Sequence, residues 1–295
     1  MFGAVDVAIC AYGKPFQTAV TLASLFQHSG HHIDTVYFQE EAVQPYGDSV
    51  RQVLSCFPGR RFVHFVPQRF LSWHMMDRSM LHDTAFRHSI RYQRAWEECE
   101  KDHLFISHND CLYSSDIVGQ MLGMGAAGEV TGVGWIGQCW NCPAYSAGLC
   151  SSEIFPRYRP TYDELRTLLA AYPDSRSKFT MVNPEHPLPP ECRLNEFACL
   201  INLAACRHLV MPYGQIVPFG FMEVDVGMAW FRELWQRGHR FLNCRDFHHA
   251  PFSSAANGHA ADLAVDEYES SELKARAYLE ARYPDVAARL GQTAL

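Results

Sequence analysis

Short apolar runs alternate with stretches of helical spacing through the first 110 residues of the chain. The runs typical of buried strands are residues 5–11, 33–38, 61–66 and 103–106. The stretches with apolar residues at helical intervals are 16–27, 49–57 and 84–99. This alternation predicts βαβ units and therefore an α/β fold with a mostly parallel sheet flanked by helices.

Residues with useful chemistry follow three of the predicted strands. Tyr12 comes after the first strand, Glu40 after the second, and His108-Asn109-Asp110 after the strand that begins at residue 103. Open α/β sheets bind ligands beyond the carboxyl ends of their strands, so these side chains are expected to line a site. The alternative is a turn in which Asn109 and Asp110 bond only to nearby backbone. A helix is predicted next, with Asp116 near its start.

A second stretch, residues 221–241, places two carboxylates before a predicted helix. Glu223 and Asp225 precede apolar positions at helical spacing, and Gly238 is expected to end the helix. Two positions on a helix that are two residues apart diverge by roughly 200°, so only one of these carboxylates could face a site. The alternative is that both charges simply favour the helix dipole.

The middle of the chain, residues 139–192, is rich in cysteine and proline and is interpreted as an insertion with one helix near 162–171. Four thiolates suit a tetrahedral structural zinc site. The proposed ligands are Cys139, Cys142, Cys150 and Cys192, with His186, Cys199 and Cys206 as alternative fourth ligands. The alternative is that these cysteines are buried and inert. Trp135 and Trp140 flank the region and could offer an aromatic surface to a ligand or simply pack.

The rest of the chain is predicted to be largely helical. Residues 194–209 and 262–290 have helical character, and the apolar positions expected to dock the last helix are Tyr268, Leu273, Tyr278 and Leu279. The predicted division is one domain over residues 1–255, containing the insertion, and a helical C-terminal extension over residues 256–295.

Composition excludes several classes of partner and predicts a compartment. A formal net charge of −7 argues against binding nucleic acid or an anionic membrane surface. The chain lacks a transmembrane segment, since no apolar run approaches the roughly 18–20 residues that one requires. Its first residues do not resemble a signal peptide. Eleven cysteines in such a chain are typical of reduced thiols, which predicts a cytoplasmic protein.

Taken in order, these stretches resemble the inverting glycosyltransferases of family 2, which have the GT-A fold. The resemblance covers about residues 4–135 and 214–250, and it depends on the order and spacing of the motifs. The matching positions are Ala11-Tyr12-Gly13, Glu40 with Glu41, Arg91, His108-Asn109-Asp110, residues 222–227, and His248 or His249. His108 replaces the first Asp of the family's Asp-x-Asp motif, and Glu223 replaces the Asp of its Glu-Asp pair.

The resemblance implies a GT-A-like (Rossmann-like) enzyme that moves a sugar, with inversion, from a nucleotide-diphospho-sugar to a hydroxyl of a carbohydrate or other acceptor. Glu223 would be the general base, with Asp225 positioning the start of the helix. The implied nucleotide-sugar-binding residues are Ala11, Tyr12, Glu40, Arg91, His108, Asn109 and Asp110. The implied ligands of Mn²⁺ or Mg²⁺ are Asp110, His108, His248 and His249.

Two other functions remain open at this point. One is a nucleotide-sugar-binding protein of the same fold that has lost catalysis, with His108 marking a decayed metal motif. The other is a zinc-stabilised protein-interaction module whose functional surface is the insertion at residues 139–192. Binding of nucleotide sugars without transfer would favour the first, and loss of partner binding on chelation would favour the second.

Overall fold

The structure is a computed structural model that describes most of the chain. The described residues are 5–45, 50–126, 129–136, 142–172, 192–222, 225–244, 248–250, 252 and 265–293. None of the helices in these ranges combines the length and the apolar character needed to cross a bilayer.

Seven strands form the central sheet and two short strands pair beside it. The strands are β1 (Val5–Ala11), β2 (Ile33–Glu40), β3 (Arg61–Phe65), β4 (His103–His108), β5 (Cys111–Leu112), β6 (Gly132–Ile136), β7 (Leu194–Asn202), β8 (Phe241–Asn243) and β9 (His248–His249). The order in the main sheet is β3-β2-β1-β4-β7-β6-β8, and β5 pairs with β9. Only β7 runs against its neighbours. The predicted α/β fold with a mostly parallel sheet is confirmed.

Eleven α-helices flank or follow these strands in the described ranges. They are α1 (Pro15–Ser29), α2 (Arg51–Leu54), α3 (Thr84–Arg87), α4 (Gln93–Glu98), α5 (Ile117–Gly125), α6 (Pro143–Ser146), α7 (Tyr162–Ala171), α8 (Leu203–Cys206), α9 (Met228–Gln236), α10 (Val265–Arg282) and α11 (Pro284–Thr293). Short 3-10 helices lie at Trp73–Met75, Arg78–His82 and Arg207–Leu209.

The sheet is buried on both faces, as a sheet covered by helices must be. Along β1, Val7 and Ile9 belong to one apolar cluster, whereas Ala8 and Cys10 belong to a second cluster on the other face. Successive side chains of a strand point to opposite faces, so every position of β1 is buried. This double burial explains why β1 appears in the sequence as a mostly apolar run, interrupted by the buried Asp6, without a period-two alternation.

The prediction of a helix over residues 194–209 is wrong. The segment forms β7, followed by the single turn of α8 and the 3-10 helix Arg207–Leu209. β7 is buried along nearly its whole length in the middle of the sheet, so its residues show no period-two pattern. Because β7 is antiparallel to β4, its first residues meet the carboxyl end of β4.

The long helix predicted over residues 84–99 is also wrong. It is interrupted by Tyr92, whose left-handed backbone has φ 65° and separates α3 from α4. A tyrosine rarely adopts positive φ. The Tyr92 ring is buried and its hydroxyl donates to Glu196 Oε2 at 2.8 Å. These contacts offset the backbone strain.

Two other predicted helices differ in detail. The helix expected near residues 49–57 is limited to the four described residues of α2. The C-terminal helix is divided in two at Pro284, where a proline starts α11 and ends α10. Tyr268 and Leu279 dock as predicted, whereas Leu273 is 65% exposed and does not.

Helix α10 lies against the start of α1. The Glu272 carboxylate accepts hydrogen bonds from Phe16 N at 2.8 Å and from Gln17 N at 3.4 Å, two of the amides that lack a partner within α1. Tyr268 Oη accepts from Lys14 N at 2.6 Å. The extension therefore supplies the cap that α1 does not provide from its own sequence.

Glu272→Ala is expected to lower the free energy of unfolding by about 1–2 kcal/mol, because it leaves these amides of α1 without their acceptor. Chemical denaturation followed by circular dichroism measures the change. Glu269→Ala, at an exposed position of the same helix, is the matched control and should be within about 0.5 kcal/mol of the parent. Equal stability of the two variants would contradict the capping role.

Candidate functional site

Charged side chains from four strands meet at one edge of the sheet. The carboxyl ends of β1, β2 and β4 contribute Lys14, Glu41 and Asp110, and the first residues of β7 contribute Glu196. Arg91, from the turn between α3 and α4, reaches the same edge and lies near both Glu41 and Glu196. This edge is where an open α/β sheet binds its ligands.

A buried ion pair links the turn after β1 to the turn after β4. Lys14 Nζ lies 2.7 Å from Asp110 Oδ2, and the two side chains are only 7% and 2% exposed. The neighbouring Asn109 donates to Gly13 O at 2.9 Å and to Thr18 Oγ1 at 3.0 Å. These contacts fix the two turns against each other and hold the Asp110 carboxylate in place.

His108 lies between two carboxylates. Its Nε2 is 3.2 Å from Glu196 Oε1 and its Nδ1 is 3.6 Å from Asp110 Oδ1. Burial opposes the charged imidazolium, but the neighbouring Glu196 and Asp110 outweigh it and raise the pKa of His108 to about 9. His108 is therefore a cation at neutral pH in this arrangement.

Glu196 is the centre of the network. Besides His108, its carboxylate accepts from the Tyr92 hydroxyl and lies 4.0 Å from Arg91 Nη1. Burial alone would raise the pKa of Glu196, yet His108 and Arg91 outweigh it and lower the pKa to about 2. Arg91 Nε in turn lies 3.4 Å from Glu41 Oε1. Three cations and three carboxylates thus alternate along this edge.

The ends of β1 and β2 carry residues predicted to bind the nucleotide sugar. Glu40 Oε2 lies 2.8 Å from His64 Nε2, and the half-buried ring of Tyr12 stacks on Phe70 with centroids 5.4 Å apart. The Ala11 carbonyl accepts from Gln44 Nε2 at 3.1 Å. Tyr12 and Glu40 therefore flank the charged network from one side.

The structure describes only one of the two predicted catalytic carboxylates. Glu223 lies outside the described residues. Asp225 precedes α9 without being part of it, so the argument from helical periodicity does not apply to this pair. The Asp225 carboxylate contacts Nη1 of the buried Arg193 at 2.5 Å and accepts from Val226 N. These contacts hold the Asp225 carboxylate against Arg193 and Val226, just before α9.

The backbone segments that carry the predicted ligands of a divalent cation lie next to each other in the fold. β9 pairs with β5 so that His249 is opposite Cys111, and Ala250 N donates to Asp110 O at 2.8 Å. Of these donors, the Asp110 carboxylate suits Mn²⁺ or Mg²⁺. His108 is held as a cation between two carboxylates, and the side chains of His248 and His249 lie outside the described part of the structure. Asp110 Oδ2 is paired with Lys14, and Oδ1 is buried 3.6 Å from His108 Nδ1, so a cation would have to displace one of these two partners.

The predicted zinc quartet is not supported by the described residues. Cys142, Cys150 and Cys192 are buried around Tyr158, but their sulfurs do not form a group with the spacing of metal ligands. Of the alternative ligands, Cys199 is buried in β7, and Cys206 Sγ donates within its own turn to Asn202 O. Cys139 and His186 lie outside the described residues. The cysteines with described positions are all buried, which agrees with the inert alternative.

Of the two tryptophans near the insertion, the structure describes Trp135. The half-buried ring of Trp135 packs beside Phe197 with centroids 6.1 Å apart, as expected for a structural side chain. Trp140 is outside the described part of the chain.

Two members of the network are not predicted from the sequence. The sequence pattern predicts a helix at Glu196, although the polar Asn195-Glu196 pair beside an apolar run is also typical of the end of a buried strand. Lys14 follows β1 by three residues, and a lysine in the turn before a helix is compatible with an anion site. Neither pattern identifies a residue of the site unless its contacts in the folded structure are known.

Comparison with known proteins gives structural similarity at a low level. No family model matches the chain, and no curated protein does. The mannosyltransferase PcManGT from Pyrobaculum calidifontis, solved with GDP-Man and Mn²⁺, is 13% identical over 100% of this chain and 76% of that chain, with a TM-score of 0.43. Glucosyl-3-phosphoglycerate synthase from Mycobacterium tuberculosis, solved with Mn²⁺, UDP-Glc and glycerol 3-phosphate, is 13% identical over 95% of this chain and 80% of that chain, also with a TM-score of 0.43. At these values, similarity does not assign an activity to this chain.

Proposed function

We propose that this protein transfers a sugar from a nucleotide-diphospho-sugar to an acceptor hydroxyl at the edge described above. The observation that carries the proposal is the convergence of Lys14, His108 and Arg91 with three carboxylates at the carboxyl ends of parallel strands. Fixed cations at such an edge suit an anionic ligand, and their carboxylate partners hold them in position before the ligand arrives.

The departing nucleoside diphosphate accumulates negative charge as the glycosidic bond to the donor breaks. Lys14 and Arg91 are preorganised donors that can stabilise this charge in a site from which water is largely excluded. A Mn²⁺ or Mg²⁺ ion held by Asp110, with His248 or His249, would supply Lewis-acid stabilisation of the same charge, whereas His108, as a cation, would not be a ligand. Lys14 and His108 would fix the position of the Asp110 carboxylate, which is the group that such an ion would bind.

The nucleoside is assigned to the side of the edge formed by β2. The stacked Tyr12–Phe70 pair offers an aromatic surface for a base, and Glu40 lies at the end of the neighbouring strand. Ala11 and Asn109 hold the turns that shape this side through their backbone and amide contacts.

Inversion requires a base on the opposite face of the sugar from the leaving group, and we assign this role to Glu223. Its partner in the motif, Asp225, is bound to Arg193 and is therefore suited to hold the chain rather than to remove a proton. The acceptor is a carbohydrate or another molecule with a free hydroxyl, which loses its proton to Glu223 as it attacks.

A binding protein without transfer is the second candidate, and one observation favours it. The Asp110 carboxylate is already paired with buried Lys14, so a metal would have to displace this ammonium before binding Asp110 Oδ2. Transfer predicts release of free nucleoside diphosphate when acceptors are supplied. Binding alone predicts stabilisation of the protein by the intact donor with no such release.

A thermal-shift screen of nucleotide sugars, with and without Mn²⁺, tests the proposal. A donor present at 100 times its Kd should stabilise the protein by about 2.7 kcal/mol, because it binds the folded state alone. The matched nucleoside monophosphate serves as control and should give a smaller shift, since it lacks the second phosphate. If no nucleotide sugar raises the Tm in either condition, the proposed function is wrong.

A further inference from the structure

We propose that His31, His32 and Asp116 form a binding site for a divalent transition-metal ion such as Zn²⁺, at the end of the sheet opposite the candidate active site. Within the described part of the chain, this is the only group of three histidine, cysteine or acidic residues whose ligand atoms all lie within 4.8 Å of one another. The inference does not depend on the proposed function.

The distances fit such an ion with little rearrangement. His32 Nε2 lies 3.0 Å and His31 Nε2 lies 3.6 Å from the same oxygen, Asp116 Oδ2. Ligand atoms bound to one tetrahedral zinc are about 3.4 Å apart, given bonds of about 2.0–2.2 Å. The two imidazole rings are neighbours, with centroids 4.0 Å apart and an angle of 42° between their planes. Both Nε2 atoms therefore approach one carboxylate oxygen from adjacent positions.

The other oxygen of Asp116 is fixed by the surrounding structure. Asp116 Oδ1 accepts from Ser29 Oγ at 2.8 Å and from Gly119 N at 3.0 Å, which makes Asp116 the N-cap of α5. Hydrogen bonds of this kind orient a metal-binding carboxylate and raise the affinity of its site. Oδ2 is thereby held towards the two histidines.

Gly119 leaves the space that the three ligands need. A Cβ atom at this position would lie 2.2 Å from Asp116 Oδ2 and 2.7 Å from His32 Nε2. Glycine is unfavourable inside a helix by roughly 1 kcal/mol relative to alanine, and Gly119 is in the first turn of α5. The close approach of the carboxylate and the imidazole requires this glycine.

The position of the site suggests what a bound ion would do. His31 and His32 lie directly before β2. The other end of that strand is roughly 23 Å away, because its eight residues are separated by seven intervals of about 3.3 Å. An ion here would tie the end of α1, the start of β2 and the start of α5 together, and would stabilise the fold. The His31 side chain is 66% exposed, so the site is open to solvent and leaves a coordination position for water.

Zinc titration of the full-length protein, stripped of metal and freed of chelator, tests the assignment. Bound zinc per chain and the zinc-induced change in Tm are measured for the parent, His31→Ala and Asp116→Asn. Asparagine retains the cap on Gly119 N but removes the charged ligand, and His31 is exposed, so both variants should fold. His28→Ala is the control, since His28 lies on the preceding helical turn outside the ligand group.

The expected result is that His31→Ala and Asp116→Asn weaken zinc binding by at least about tenfold and abolish the zinc-induced rise in Tm, whereas His28→Ala matches the parent. Binding should also weaken in acid, because protons compete with the metal for the imidazoles. Equal zinc binding by the parent and both variants, or no rise in Tm of the parent with zinc, would overturn the proposal. Zinc binding by a Gly119→Ala variant that equals zinc binding by the parent would also overturn the proposal.

Discussion

Asp110→Ala is expected to abolish glycosyl transfer and to lower the free energy of unfolding by about 3–5 kcal/mol. The stability loss follows from the ion pair with Lys14, because both side chains are more than nine-tenths buried and alanine leaves the ammonium without a partner. Loss of transfer follows from the role proposed for this carboxylate in holding Lys14 and a divalent cation at the leaving group. Urea denaturation and release of nucleoside diphosphate from the donor measure the two effects.

A double variant, Lys14→Met/Asp110→Leu, separates these effects. Replacing both members of a buried ion pair by apolar residues of similar size is often neutral for stability. The double variant should therefore be more stable than Asp110→Ala by at least about 2 kcal/mol and should remain inactive. Transfer at the parental rate by either variant would refute the assigned role, and a double variant as unstable as the single one would refute the importance of the pair.

The parts of the fold that the sequence predicts are those with local signals. β1 and α1 are predicted almost to the residue, because a mostly apolar run ends at Gly13 and a helical spacing follows until Gly30. The N-cap at Asp116 is another such signal, since its side chain bonds an amide three residues ahead. In the same way, the carboxyl ends of β1, β2 and β4 give the location of the candidate site.

The wrong predictions concern features set by distant partners. A strand buried on both faces has no pattern that distinguishes it from a buried helix, so β7 was assigned to the wrong class. Tyr92 breaks a predicted helix because its hydroxyl finds Glu196, which is 104 residues away. The Lys14–Asp110 pair spans 96 residues. Patterns within a short stretch of sequence do not predict a contact between residues so far apart.

Cysteine spacing by itself does not distinguish a metal site from buried thiols, and the zinc quartet stays a prediction. A free cysteine behaves as a small apolar residue, and a chain with eleven of them will place several near one another by burial alone. His31 and His32 are the opposite case, because the fold groups them with a third residue although the sequence contains no signal for it. His31 and His32 adjoin in sequence without a recognisable metal motif, and only the fold brings Asp116 to them, 84 residues from His32.

Glu223→Gln is expected to lower turnover by roughly 10²–10⁴-fold, the usual effect of losing a general base, with little change in donor affinity. Glutamine keeps the size and the hydrogen-bonding capacity of the side chain but cannot accept the acceptor's proton. The matched variant is Asp225→Asn, which weakens the contact with buried Arg193 and should cost about 1–3 kcal/mol of stability while retaining much of the turnover. Steady-state kinetics with donor and acceptor varied separately, together with urea denaturation, distinguish the two. If Asp225→Asn is inactive although stable and Glu223→Gln is active, the base is Asp225. In that case Arg193 holds a catalytic carboxylate, and the two roles must be exchanged.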